Sequence, residues 1–113
     1  MRVTADERRR AILEALCVRR HETRENLAFE FGVSKSTIEH DVLRLSLEYP
    51  IYTARGNGGG IRVARGFRPD RKYLSAKQAE LLEKLSVKLS GEEREVMNSI
   101  LRTFRMPKKE DEV

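Results

Sequence analysis

The chain has one cysteine in 113 residues, two histidines and no tryptophan. One thiol cannot close an intramolecular disulfide, and one Cys with two His is too few for a zinc site of the usual spacing. No apolar run approaches the ~18 residues that a transmembrane helix needs. Behind Met1-Arg2-Val3-Thr4 no apolar stretch follows the charge, so no secretory signal is expected. Catalytic signatures are missing as well: there is no nucleophile–base–acid set, no metal cluster and no phosphate loop. The spaced glycines of Gly56-Asn57-Gly58-Gly59-Gly60 are not followed by Lys-Ser/Thr or by a helix start. These absences exclude a disulfide scaffold, a membrane protein and a zinc finger, and they argue against an enzyme. The expectation is a soluble cytoplasmic protein with no metal and no cofactor.

Charge is abundant, at 36% of residues, and its placement is uneven. Residues 1–49 hold nine basic and nine acidic side chains, and residues 74–113 hold eight of each. The whole net charge of +5 therefore sits in residues 50–73, with Arg55, Arg62, Arg65, Arg68, Arg71 and Lys72 against Asp70. Five of the seven glycines fall in the same stretch. A concentrated basic stripe is the footprint of a polyanion partner; a solvated basic loop has the same charge, so the surrounding pattern decides.

Thr4-Ala5-Asp6-Glu7 fits a capping box, and Ile12, Leu13, Leu16 and Cys17 recur behind it at helical spacing. A helix is predicted over residues 5–19, with Cys17 as a small core residue rather than a reactive thiol. Thr23 caps a short helix over residues 24–31, and Gly32 stands where a left-handed residue ends it. Ser34 caps the next, over residues 35–46, whose Ile38, Val42 and Leu45 share one face. Leu27, Ala28, Phe31, Val33 and Ile38 around Gly32 suit a helix-turn-helix.

Pro50 prevents continuation of that helix. Ile51–Arg55 and Ile61–Arg65 alternate as strands around the Gly56–Gly60 turn, which predicts a β-hairpin. Ile51, Thr53, Ile61 and Val63 should face the helices, and Tyr52, Arg62 and Ala64 the other side. A hairpin directly after the third helix is a wing, and its glycine-rich tip and flanking arginines suit a sugar-phosphate backbone or a narrow minor groove.

Glu25-Asn26-Leu27-Ala28, Phe31-Gly32-Val33-Ser34, Ser36-Thr37-Ile38-Glu39-His40-Asp41-Val42 and Gly58-Gly59-Gly60 together resemble the N-terminal DNA-binding domain of DeoR-type bacterial regulators. They are equally similar to the winged-helix domain that precedes WYL-type sensor domains. The resemblance covers residues 8–65, and Asp41 matches the acidic position of the family's Val-Ser-x-x-Thr-Ile-x-x-Asp-Leu/Ile pattern. Members often carry two arginines before that acid, where this chain has Glu39 and His40. About 40 residues follow, fewer than either sensor domain needs, so no small-molecule effector is implied.

After the linker, Ser75-Ala76-Lys77-Gln78 and Ser90-Gly91-Glu92-Glu93 read as two further capping boxes. They open two amphipathic helices that form an αα-hairpin. Its stripe of Leu81, Leu82, Leu85, Leu89, Val96, Met97, Ile100, Leu101 and Phe104 exceeds what two helices hide between them, and is assigned to homodimerisation, with folding back on the winged helix or a different protein partner as the alternatives.

The expected fold is mainly α with a small β-hairpin (α+β), a winged helix-turn-helix followed by an αα-hairpin. Residues 1–66 form the first domain, 67–74 a linker, 75–106 the dimerisation hairpin and 107–113 a frayed tail. The expected function is a transcriptional regulator of double-stranded DNA, repressing by operator occupancy. Ser34, Lys35, Ser36, Thr37, Glu39 and His40 enter the major groove; Arg55, Asn57, Arg62 and Arg65 contact the backbone or minor groove. The alternative is a protein–protein adaptor that reuses the same fold without binding DNA, favoured by the neutral first 49 residues and Glu39.

Overall fold

The computed structural model describes residues 3–55 and 60–109. The described chain is α+β, with five helices and one three-stranded antiparallel sheet. It divides into two compact units, one of residues 1–69 with 107–113, the other of residues 70–106.

The first unit opens with α1 (Ala5–Arg19), held by the predicted box: Thr4 Oγ1 accepts from the Glu7 amide and Glu7 accepts from the Thr4 amide. Arg20 ends the helix in the left-handed region at φ 70°. That conformation costs a non-glycine residue roughly 1–2 kcal/mol. Its guanidinium offsets the cost by donating to the carbonyls of Cys17, Ala64 and Phe67. Strand β1 (His21–Glu22) follows, too short to show an alternation in the sequence.

Helices α2 (Arg24–Phe31) and α3 (Lys35–Ser46) are capped by Thr23 and Ser34, and Gly32 between them takes φ 66°. Strands β2 (Ile51–Ala54) and β3 (Gly60–Val63) pair antiparallel, Ile51 with Val63 and Thr53 with Ile61. The sheet order is β1-β3-β2, so His21 and Tyr52 flank Arg62 on its two sides. Gly60 lies hard against β1: a Cβ there would stand 2.8 Å from the Glu22 carbonyl oxygen.

The core of this unit is Ile12, Leu16, Leu27, Ile38, Ile51, Ile61, Val63 and Phe67. Two expected orientations change. Thr53 is exposed although its register partner Ile61 is buried. Ala64 is buried rather than outward. It lies past the end of β3, where its amide donates to Pro50 O and its carbonyl accepts from Arg20. Pro107–Lys109, expected to fray, group with this unit, and Lys109 Nζ donates to the Ser46 carbonyl.

The second unit contains α4 (Ala76–Ser86) and α5 (Gly91–Phe104). Ser75 and Gln78 form the predicted box. Ser90 does not: its side chain makes no cap hydrogen bond. Gly91 takes φ 60°, which turns the first helical residue out of register with the hydroxyl. Of the predicted apolar stripe, Leu101 is buried and Leu82, Leu89 and Met97 are half-buried, whereas Leu81, Leu85, Val96, Ile100 and Phe104 are exposed. No helix among the described residues is long and apolar enough to cross a membrane.

Candidate nucleic-acid interface

Helix α3 has an inward and an outward side, set by the 3.6-residue period. Ile38, Asp41, Val42 and Leu45 are buried. Lys35, Ser36, Glu39, His40, Leu43 and Arg44 are exposed. Five of the six predicted residues, Ser34 among them, are exposed. Ser34 and Thr37 also serve the helix itself. Ser34 Oγ accepts from the Thr37 amide at 3.1 Å and lies 3.0 Å from Thr37 Oγ1, and Thr37 is half-buried.

Asp41 has the opposite fate. The residue is 2% exposed, and its carboxylate accepts from three donors on α1. Arg8 Nε reaches Oδ2 at 2.6 Å, and Arg8 Nη2 and Arg9 Nη1 each reach Oδ1 at 3.2 Å. The carboxylate raises the Arg8 guanidinium above its ordinary value through the hydrogen bond and the opposite charge, against the cost of burial. Arg9 continues to Asp6 at 2.7 Å. This clamp fixes α3 against α1, and so sets how the outward residues are presented.

A groove of about 1010 Å³ runs between α3 and the hairpin. Glu39, Leu43 and Ser46 line one wall; Tyr52, Thr53, Ala54 and Arg55 of the hairpin line the other. Arg24 and Glu25, from the start of α2, also line it, as does Lys109. Glu39 and Arg55 are thus brought to one groove; Lys35, Ser36 and His40 are exposed but do not line it. Arg62 is half-buried in the middle of the sheet and Arg65 is exposed beyond β3. Asn57 lies outside the described residues.

Sequence reasoning missed two contributors here. Arg24 Nη1 donates to Glu39 Oε2, pairing the first residue of α2 with the exposed face of α3. Thr23 as a cap did signal that position 24 opens a helix, but the contact across 15 residues had no sequence signal. Leu43 is 64% exposed, one helical turn beyond Glu39 and off the face shared by Ile38, Val42 and Leu45.

Cys17 is half-buried, and burial pushes its thiol above the ordinary value, which suits a packing role. No group of His, Cys, Asp and Glu that could hold a metal ion occurs among the described residues. Comparison with protein families, with curated proteins and with solved structures returns no match to the chain.

Proposed function

We propose that the chain is a winged-helix transcriptional regulator that binds double-stranded DNA. The observation that carries this reading is the shared groove: α3 and the hairpin flank it, with Glu39 on one side and Arg55 on the other. Helix α3 enters the major groove through Lys35, Ser36, Glu39 and His40, and Ser34 at its N-terminus approaches a phosphate. The hairpin, at the head of a segment holding all of the +5 net charge, follows the backbone or minor groove. Arg55, Asn57, Arg62 and Arg65 are its candidate contacts.

The second unit makes the regulator a homodimer. Leu81, Leu85, Val96, Ile100 and Phe104 are exposed on α4 and α5. A second copy presents the same apolar residues, and a dimer matches the paired half-sites that such domains read. Repression by occupancy of the operator is the simplest action of such a regulator.

One observation favours a protein-interaction module instead: Phe29, at 91% exposure, and Leu47, at 80%, are large apolar groups facing outward on α2 and at the end of α3. Titration of labelled random-sequence duplex at low and moderate salt separates the two. A DNA-binding protein associates at low salt and weakens steeply as salt rises, by about 0.9 in log–log slope for each phosphate contact. Absence of binding at both salt concentrations rejects the DNA reading.

A further inference from the structure

The ion pair between Arg24 and Glu39 gives the exposed face of α3 a chemical preference. We infer that Glu39, held in place by Arg24, selects cytosine in the major groove of the bound duplex, an assignment that rests on the DNA-binding reading above.

Glu39 is mid-helix, one turn beyond Lys35 and Ser36, and its side chain is about half exposed at 48%. Arg24 is equally accessible, and its Nη1 donates to Glu39 Oε2 while its Nε lies 3.5 Å from Glu25 Oε2. Two consequences follow. First, a carboxylate approaching a duplex is repelled by phosphates, and Arg24 supplies the compensating charge at the carboxylate itself rather than elsewhere on the surface. Second, the pair engages Oε2, and Oε1 accepts from no donor among the described residues. On a side chain 48% exposed, that oxygen is left to accept from a partner of α3.

An ionised carboxylate only accepts hydrogen bonds. In the major groove, guanine offers acceptors at N7 and O6, and thymine offers O4 and a methyl group. Both repel an acceptor. Adenine has one donor at N6, but its N7 acceptor stands beside it. Cytosine presents its N4 amino group without a neighbouring acceptor on the same base, so it is the base a carboxylate matches. Arg24 is a positioning residue in this scheme: its ion pair restrains the Glu39 carboxylate and makes it tolerable near phosphate.

The test is selection from a randomised duplex library with the native chain and with Glu39→Gln, Arg24→Ala and Arg24→Lys, followed by affinity measurements on the selected site and its single-base variants. The native protein should require cytosine at one position, with a penalty of roughly tenfold for any other base. Glu39→Gln keeps the shape but can both donate and accept, which matches adenine; the preferred base at that position should change from cytosine to adenine. Arg24→Ala should keep cytosine but narrow its margin and weaken all sites, and Arg24→Lys should restore part of the affinity. A native protein that selects a motif whose preferences are unchanged by Glu39→Gln would overturn the assignment and leave DNA binding intact. A native protein that binds no duplex at low salt would remove the DNA-binding reading, and the assignment with it.

Discussion

Replacing Asp41 is the sharpest test of how α3 is held. Its side chain is 3% exposed, and the side chains of Arg8 and Arg9 are 15% and 18% exposed. Asp41→Ala removes the acceptor of three charge-assisted bonds and leaves two largely covered guanidiniums without it. Breaking a buried pair from one side costs about 3–5 kcal/mol. Asp41→Asn keeps the volume and one acceptor oxygen but loses the charge, and should cost about 2 kcal/mol, within the range for a bond to a charged group. Small domains have only about 5–15 kcal/mol in total, so the alanine variant should be close to unfolding. Urea unfolding followed by circular dichroism measures both. With a slope near 1 kcal/mol/M, the asparagine variant should unfold at about 2 M less urea. Arg8→Ala combined with Asp41→Ala should cost less than the two separately, because the second change removes a charge the first has orphaned. A cost below about 1 kcal/mol for Asp41→Ala, or strict additivity with Arg8→Ala, would refute the clamp.

Other residues give independent checks. Arg20 combines a left-handed backbone with three side-chain bonds to carbonyls. Both Arg20→Ala and Arg20→Gly lose those bonds, but glycine relieves the backbone, so it should be about 1 kcal/mol more stable than alanine in urea melts. The bonds from Asn26, the Thr23 amide and Arg19 hold the Glu22 carboxyl below its ordinary 4.5. A depressed carboxyl stabilises the fold above its unfolded value, and this contribution disappears as pH falls through the folded value. Glu22→Gln should therefore lower stability at neutral pH and flatten its decline below about pH 4.5, as read from melting temperature against pH. Leu85→Asp, on the exposed stripe of α4, should convert the proposed homodimer to a monomer in sedimentation velocity. Lys35→Ala should reduce the salt slope of duplex binding by about one, whereas salt-independent loss would count against a phosphate contact.

What could be read from the sequence was local. The Thr4–Glu7 and Ser75–Gln78 boxes, the Thr23 and Ser34 caps and the Gly32 turn each involve residues within four positions, where the chemistry of one side chain meets the backbone beside it. The misread box at Ser90 shows the limit even there, because the φ 60° of Gly91 overrides the pattern of residue types. Strand β1 exists only because β3 accepts it, and two residues carry no periodicity of their own. The partners of Asp41 lie 32 and 33 positions away on α1. Asp41 was legible only as the acid of the Thr-Ile-x-x-Asp pattern, and which arginines cover it depends on how α1 crosses α3.

The zero net charge of residues 1–49 has a different meaning once the pairs are known. Six acids, Asp6, Glu22, Glu25, Glu30, Glu39 and Asp41, lie within 4.0 Å of four arginines, Arg8, Arg9, Arg19 and Arg24. Arg19 alone serves Glu22 and Glu30, and its bonds hold the Glu30 carboxyl below the ordinary range. Much of the acidic charge is therefore compensated where it stands. On the outward side of α3 the one acid, Glu39, is paired, while Lys35 and Arg44 make no ion pair among the described residues. Screening limits an exposed charge to about a Debye length of ~8–10 Å, so a partner docking on α3 meets this local arrangement and not the sum over the first half of the chain. Neutrality of that half therefore gives no support to an adaptor without DNA binding. It also follows that Arg24→Ala should harm duplex binding more than the removal of another exposed positive charge of the same unit, because it uncovers Glu39 on the outward side of α3. An equal loss from Arg24→Ala and from Arg10→Ala in α1 would contradict that.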